Sequence, residues 1–449
     1  MIGAGRTGHA CAEVLSRRGA HVFVTDEGVP AKLESAIAST QAAGAQFVAP
    51  DQLEGLLPNL DRAILSPGVP LRGALAQRVA HAVPLVSEIE VAYEMCDAPI
   101  IAVTGTKGKS TTTALIAHIL RSAGKQVRVG GNIGNPLIRE AEAAKRGEWV
   151  VAEISSFQLE AVRTFKPRVA VVLNVSEDHL DRYSSVDDYA AAKYRIFENQ
   201  GGGDTFIGNR DDARVSEVAP LVHGTQWWFS AKGECAAILT ADDDAIWYRP
   251  GEAPAQRVVD RSEIPLPGAH NLENVLAAVL AALAAGVKRA DIQAGLSTFQ
   301  PMAHRLQTIA QIDGIRYVDD SKATNPAAVI AALGAFDAPI ILIAGGRSKG
   351  AGFSELGSVV ARRVKALVAI GEAADAIAHA SVGTEIVRAA TLVDAVRAAR
   401  ERARPGDVVL LSPGCASFDM FESAEARGEA FAAAVNAAPA RGIGATAGA

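Results

Sequence analysis

Cysteine is scarce. Of 449 residues only Cys11, Cys96, Cys235 and Cys415 carry a thiol, and none of them form a CxxC pair or a metal-type spacing. That argues against a disulfide framework and for thiols kept reduced inside a cell. Long hydrophobic runs are missing too. No segment approaches the roughly 18 continuous apolar residues that cross a bilayer. Gly3, Gly5 and Gly8 break the N-terminus where a signal peptide would need a charged and then apolar stretch. The expectation is a soluble, cytoplasmic protein without membrane insertion. Positive charge is not in excess either: 44 Lys and Arg against 50 Asp and Glu leave a formal net charge of −6. Nucleic-acid binding by bulk electrostatics is thereby disfavoured, although a local basic pocket for phosphates is not. Aromatics are only 5%, and no short-period repeat is visible.

What remains is a chain with 49% hydrophobic and 21% charged residues, rich in alanine, long enough for two or three domains. Short apolar runs alternate with alanine-rich helical stretches, the pattern of α/β domains with parallel sheets. A first region runs to residue 88, with strands expected at 20–25 and 62–65. A second covers 89–301, with strands at 99–104, 149–154 and 168–175 and a helix over 271–285. A third covers 302–449, with strands at 314–318, 339–344, 366–370 and 407–411 and a tail that frays after Asn436. Only Met1 and Ile2 precede Gly3. Either the sequence is clipped there, or the strand a βαβ unit requires is a stub.

The sharpest motif is Gly105-Thr106-Lys107-Gly108-Lys109-Ser110-Thr111, between a buried-strand run and a helical stretch over 112–123. Glycines let backbone N–H groups turn in around phosphates, and a helix N-terminus adds favourable partial charge. Lys109 would reach the β- and γ-phosphates and Ser110 would offer its hydroxyl to Mg²⁺. A P-loop of the common length has its first glycine where Val103 stands. No Asn-Lys-x-Asp run for guanine is present, so ATP is the expected nucleotide. Glu153 and His179 fall just past two further strands, at the edge where open α/β sheets bind ligands. Each alone would pass for a cap or a structural residue; together beside Ser110 they could hold Mg²⁺ against phosphates. By periodicity Lys193 is an ordinary exposed lysine, and Lys349 can be a solvated loop lysine.

The Thr-Gly-Thr-x-Gly-Lys-Ser-Thr signature is similar to that of the Mur ligase and folylpolyglutamate synthase superfamily. So are Gly130–Gly134, Glu153–Leu159, Asn174–Tyr183, Gly268–Asn274, His304-Arg305, Asp320–Asn325 and Ser412–Asp419, in that order. The chain resembles the Mur ligases from Gly3 to about Phe431. The resemblance implies three domains: an N-terminal Rossmann-like UDP-binding domain at 1–88, a central P-loop-type ATPase domain with a mainly parallel sheet at 89–301, and a C-terminal Rossmann-like amino-acid-binding domain at 302–449. It implies ATP-dependent joining of D-glutamate to UDP-N-acetylmuramoyl-L-alanine by a monomer, with Mg²⁺ in two sites.

Residue roles follow from the same resemblance. Residues Gly105 to Thr111, with Asn271, Arg305 and Asp320, would hold the nucleotide. Thr7, Asp26, Ser66 and Asn132 would contact the uridine diphosphate of the precursor, and Ser155 would bind substrate. Lys322, Thr324, Lys349, Ser417 and Phe418 would line the cleft or take the glutamate carboxylates, for which a fixed cation and hydroxyl donors suit a dianion. Metal ligands would be Ser110, Glu153, His179 and a carbamylated Lys193, whose pattern Ala192-Lys193-Tyr194-Arg195-Ile196 fits although its spacing from His179 is one residue short. Carbamylation needs a neutral amine, hence burial or neighbouring cations. Lys109, Glu153, His179, Lys193 and His304 form the catalytic set, His304 orienting a reacting group. Two departures stand out: Ala303 replaces the family's Pro before His304, and Glu27-Gly28 after Asp26 leave the uracil contact open.

The implied chemistry is carboxylate attack on the γ-phosphate, an acyl phosphate, then attack by the glutamate amine, with domain closure shielding the intermediate from water. Rival readings are another superfamily member acting on a different amino acid or on folate, and an enzyme adding L-glutamate. From other classes come an NAD-dependent oxidoreductase, resting on Gly3-x-Gly5-x-x-Gly8 with Asp26, and a non-catalytic nucleotide-dependent scaffold.

Overall fold

Ile2, 2% exposed, is the middle of the first sheet. It bridges in parallel to Thr25 on one side and Leu65 on the other. Its N–H donates to the Ile64 carbonyl and its carbonyl accepts from Ser66. Outward lie Phe23–Val24 paired with Gln46–Phe47, and Ala63–Leu65 paired with Leu85–Ser87, all parallel. The stub therefore serves as a strand, and the helix Arg6–Arg17 starts almost at once. In the computed structural model the described residues are all but 29, 181, 234–237, 267, 301–302, 349–351 and 438–449, with the side chains of 30–32 also left aside. Cys235, Asp181, Lys349 and the tail from residue 438 lie outside them. Among the described residues no helix is long and apolar enough to cross a membrane.

The chain forms two compact units, 1–265 with 271–299, and 266–270 with 300–449. The first unit contains the two strand pairs above, bridged by Ile2 into a small sheet, and a nine-stranded sheet. In spatial order the latter runs Gln256–Asp260, Ala245–Tyr248, Leu239–Ala241, Thr225–Ser230, Thr205–Asn209, Val169–Val172, Ile100–Thr104, Trp149–Glu153, Val127–Gly131. Ile100–Thr104 is buried throughout, as a β-branched run between two parallel neighbours must be. Among the described residues of this sheet, only the pairings among Leu239–Ala241, Ala245–Tyr248 and Gln256–Asp260 are antiparallel.

The helix Glu88–Met95 ties this sheet to the small one with two buried carboxylates, Glu88 and Glu90, each 1% exposed. Glu90 accepts from the N–H groups of Arg163, Thr164 and Phe165 at 2.9, 2.6 and 3.0 Å. Glu88 accepts from Ile138 N–H at 2.7 Å, at the start of the helix Leu137–Ala143. Burial pushes the Glu88 carboxyl up to about 7. An unfolded glutamate releases its proton near pH 4.3, so the native state holds the extra proton between there and 7. This group's stabilisation is thus complete below the lower value and lost as pH rises through the upper one. Glu88→Gln, which carries no charge, should gain stability relative to the parent by about 2 kcal/mol between pH 5 and 8. Denaturant unfolding at the two pH values checks it; a constant difference would refute the assignment.

The second unit has a six-stranded sheet in the order Gln307–Ile312, Ile315–Asp319, Val408–Leu411, Ile340–Gly345, Val364–Ile370, Glu385–Arg388. All pairs are parallel except the first. Helices cover it so that Val329, Leu356 and Val360 fill one core cluster and Val396, Ala399 and Phe431 another.

Candidate active site

The strand Ile100–Thr104 has Val169–Val172 on one side and Trp149–Glu153 on the other. Chain order reverses across it, which makes its C-terminal end the switch point where α/β sheets open a crevice. The loop Gly105–Gly108 emerges there and the helix Lys109–Ser122 begins. Asn174 clamps the loop: its Oδ1 accepts from Lys107 N–H at 2.9 Å, and its carbonyl accepts from Thr106 N–H. Thr106 Oγ1 donates to the Ser176 carbonyl at 3.2 Å. Gly108 has φ +86°, and a Cβ there would stand 2.1 Å from Asn274 Oδ1, which also accepts from Thr112 Oγ1. Asn274 Nδ2 in turn donates to Asn271 Oδ1 at 3.2 Å, fixing the predicted nucleotide residue Asn271 on the helix Ala269–Ala284.

Gly108→Ala should therefore raise the KM for ATP by about tenfold or more, since backbone strain and a clash add. Gly124, at φ +78° with open space around it, gives the control. Gly124→Ala should cost only about 1 kcal/mol of stability and leave the KM unchanged. Steady-state phosphate release on the two variants separates the effects.

Two lysines meet at one carbonyl. Lys109 Nζ donates to Gly105 O at 2.8 Å and to Thr106 O at 3.0 Å, and Lys193 Nζ donates to the same Gly105 O at 3.0 Å. Lys193 is 1% exposed, unlike the exposed lysine that helix periodicity suggests, and its Nζ lies 4.4 Å over the Tyr189 ring. Burial, then the Lys109 charge, hold its pKa well below the usual lysine value; Asp178 and Glu153 pull the other way. The helix that carries it, Val186–Tyr194, is capped by Ser185, whose side chain accepts from Asp188 N–H.

Glu153 is 1% exposed at the end of its strand. Its Oε1 accepts from Asn132 Nδ2 at 2.7 Å, while Oε2 is buried with no hydrogen-bond partner. A carboxylate oxygen left so in the interior costs free energy unless a cation meets it. On that ground the residues fit a divalent ion. Among the described residues no group of three or more His, Cys, Asp or Glu gathers as a metal cage. A Mg²⁺ ion would instead take carboxylate, hydroxyl, phosphate and water oxygens, its usual set. Ser110 is 8% exposed at the head of the loop helix. His179 has φ +55°, an uncommon backbone for a non-glycine residue, and its ring lies 4.8 Å from Phe157.

The residues expected to contact the precursor are turned in several directions. Asp26 accepts from Ala4 N–H at 2.7 Å and Gly28 N–H at 2.8 Å, so both its oxygens hold backbone. Thr7 sits in the first turn of Arg6–Arg17, and Ser66 is 8% exposed. Asn132 orients Glu153, as described, and Ser155 caps the short helix Ser156–Leu159 in a reciprocal box with Gln158.

In the second unit His304, Arg305 and Leu306 form a strained turn, with φ +62° at His304 and +46° at Leu306. His304 Nδ1 and Asp319 Oδ2 are 2.6 Å apart, and Lys322 N–H donates to the His304 carbonyl. A Cβ on Gly428 would stand 2.0 Å from Nδ1, so the ring packs flush on the helix Ala424–Ala437. Asp320 accepts from Ser412 Oγ at 2.8 Å and from Leu306 N–H at 3.3 Å; burial pushes its carboxyl up to about 7. Lys322 is ion-paired with Glu425, and Thr324 is half-buried. Ser417 is buried, and Phe418 is 64% exposed. Arg347 and Ala416 exchange both backbone hydrogen bonds, at 2.9 and 3.0 Å, beside that segment. Asp319 and the buried Arg427, which donates to Ser321 and to the Cys415 carbonyl, were not marked by sequence. The signal for Asp319 was the doubled Asp319-Asp320; Arg427 lies outside every quoted motif.

Comparison with known proteins adds to the geometry. The Mur ligase middle domain matches residues 103–282, and the Mur ligase glutamate ligase domain matches 304–415. The UDP-N-acetylmuramoylalanine–D-glutamate ligase of Pelotomaculum thermopropionicum is 44% identical over 441 residues, covering 96% of this chain and 95% of its own. The protein of the same name from Koribacter versatilis is 41% identical over 432 residues, covering 96% and 95%. Among solved structures, the UDP-N-acetylmuramate–alanine ligase of Thermotoga maritima has a TM-score of 0.60 at 18% identity, covering 97% of this chain and 98% of that one. MurF from Acinetobacter baumannii has a TM-score of 0.62 at 21% identity, covering 93% and 91%. These two show the likeness of fold.

Proposed function

Since the chain belongs to the Mur ligase family, among the UDP-N-acetylmuramoylalanine–D-glutamate ligases, we propose that it joins D-glutamate to UDP-N-acetylmuramoyl-L-alanine at the expense of ATP. The observation that carries the chemistry is the convergence of Lys109 and Lys193 on the Gly105 carbonyl within the field of Glu153. The precursor carboxylate oxygen attacks the γ-phosphorus and ADP leaves. The glutamate amine attacks the carbonyl carbon of the acyl phosphate, the tetrahedral intermediate expels phosphate, and an amide remains. Lys109 moves from the loop carbonyls to the phosphates and offsets the crowding of two anions. Ser110, Glu153, His179 and a carbamylated Lys193 would hold Mg²⁺, which when bound would supply charge neutralisation for the phosphates. Burial lowers the Lys193 pKa and so favours the neutral amine that carbamylation needs: the nitrogen bonds to CO₂ and one proton leaves.

In the same reading Thr7, Asp26, Ser66, Asn132 and Ser155 serve the precursor, and Asp320, Arg305 and Asn271 the nucleotide. Lys322, Thr324, Lys349, Ser417 and Phe418 serve the incoming amino acid, and His304 orients a reacting group. The domains are 1–88, 89–301 and 302–449, and the work is done in the cytoplasm, where ATP and UDP-linked precursors are supplied. The test is phosphate release from ATP and Mg²⁺ with UDP-N-acetylmuramoyl-L-alanine and D-glutamate, L-glutamate, meso-diaminopimelate or no amino acid. Release that requires D-glutamate supports the reading; equal release with the L-isomer, or none with either, removes it.

A further inference from the structure

Arg182, three residues beyond His179, has no role in the reaction described above. Its side chain is nonetheless 13% exposed and held on three sides. Nε and Nη2 donate to the two oxygens of Glu160 at 3.1 and 2.6 Å, a bidentate pair whose carboxylate is 9% exposed. Nη1 donates to the Pro67 carbonyl at 2.8 Å and Nη2 to the Val69 carbonyl at 3.3 Å. The guanidinium carbon lies 4.0 Å over the Phe157 ring, and that ring meets His179 at 4.8 Å. Arg182 N–H closes the turn on the His179 carbonyl at 3.0 Å.

One planar group thus joins the loop 66–69 of the small sheet, the segment 155–160 after the strand of Glu153, and the turn carrying His179. A guanidinium presents its donors in a rigid fork, so moving one acceptor tilts the plane for the others and for the stacked ring. We propose that Arg182 is a positioning residue that couples occupancy of the precursor site beside Ser66 to that of the magnesium–nucleotide site beside His179. This rests on the function proposed above. The coupling is reciprocal: whichever ligand binds first settles the loop that the second requires.

Calorimetry on the full chain tests it. UDP-N-acetylmuramoyl-L-alanine is titrated alone and with saturating Mg²⁺ and a non-hydrolysable ATP analogue. The wild-type Kd should tighten by about fivefold or more when the nucleotide is present. Arg182→Lys keeps the charge but loses the fork, and should bring that ratio close to one, with each ligand's Kd alone changed by less than about threefold. Glu160→Gln, which frees the fork from its bidentate partner, should move the ratio the same way and stands in if the first variant does not fold. Thermal unfolding of both variants separates coupling from general destabilisation, which would not erase the ratio while sparing each affinity. A wild-type ratio of one, or an unchanged ratio in a folded variant, overturns the proposal while leaving the functional reading intact. Failure of the precursor to bind wild-type protein at all overturns both.

Discussion

Lys193→Ala is expected to lower kcat by about 10³-fold while leaving the protein folded and still able to bind ATP. The magnitude follows from removing one preorganised charge from a phosphoryl-transfer site, where such losses run from about 10² to 10³. The sparing of the fold follows from geometry. Lys193 is 1% exposed and makes one hydrogen bond to a loop carbonyl that Lys109 also reaches, so its removal leaves no buried acceptor without a donor. It also removes the desolvation of a buried amine, which offsets the small cavity. Lys193→Arg is the sharper variant. Arginine carries a fixed positive charge and cannot form a carbamate, so it should be as inactive as alanine. ¹³C-bicarbonate NMR on the wild-type chain should show a protein-bound carbamate signal absent from both variants. If arginine supports wild-type turnover, the carbamate has no part in the reaction and Lys193 acts only as a cation.

Glu153→Gln should have the next largest effect, a loss of about 10²-fold in kcat with a Mg²⁺ requirement raised by about tenfold or more. The substitution is isosteric, and the hydrogen bond from Asn132 at 2.7 Å can still find the amide oxygen. What is lost is the negative charge at Oε2, the oxygen that the folded chain leaves without a partner. Asn132→Ala provides the graded comparison, since it removes the orienting donor but keeps the carboxylate. It should shift the Mg²⁺ requirement by a smaller factor. Phosphate release titrated with Mg²⁺ at saturating ATP decides the matter. A Mg²⁺ curve that Glu153→Gln leaves in place would mean the carboxylate serves the fold rather than the metal.

Segments of the chain differ in how plainly their structure is written in the sequence. The order of strand, glycine loop and helix between 100 and 123 is written in local chemistry: a β-branched run, glycines, then helix formers. The structure has Ile100–Thr104 and Lys109–Ser122 in those places. The strands over 205–260 escaped the reading because Thr225–Ser230 and Gln256–Asp260 mix exposed and buried positions without a clean alternation. The strand expected at 20–25 shortened to Phe23–Val24 because its partners, Ile2 and Gln46–Phe47, are themselves short.

By itself, then, the sequence determined the class of fold, the phosphate loop and the family, because each is encoded in residues adjacent along the chain. Only the tertiary structure decided that Lys193 is buried, that Asn132 serves Glu153, that Asp319 holds His304, and that Arg182 reaches Pro67 across 115 residues. The physical reason is the same in each case. Burial and hydrogen-bond partnership depend on which segments the sheets bring side by side, and strand order is a property of the packed whole. Helix periodicity placed Lys193 on an exposed face; the loop packed over that face made it an interior residue with a depressed pKa.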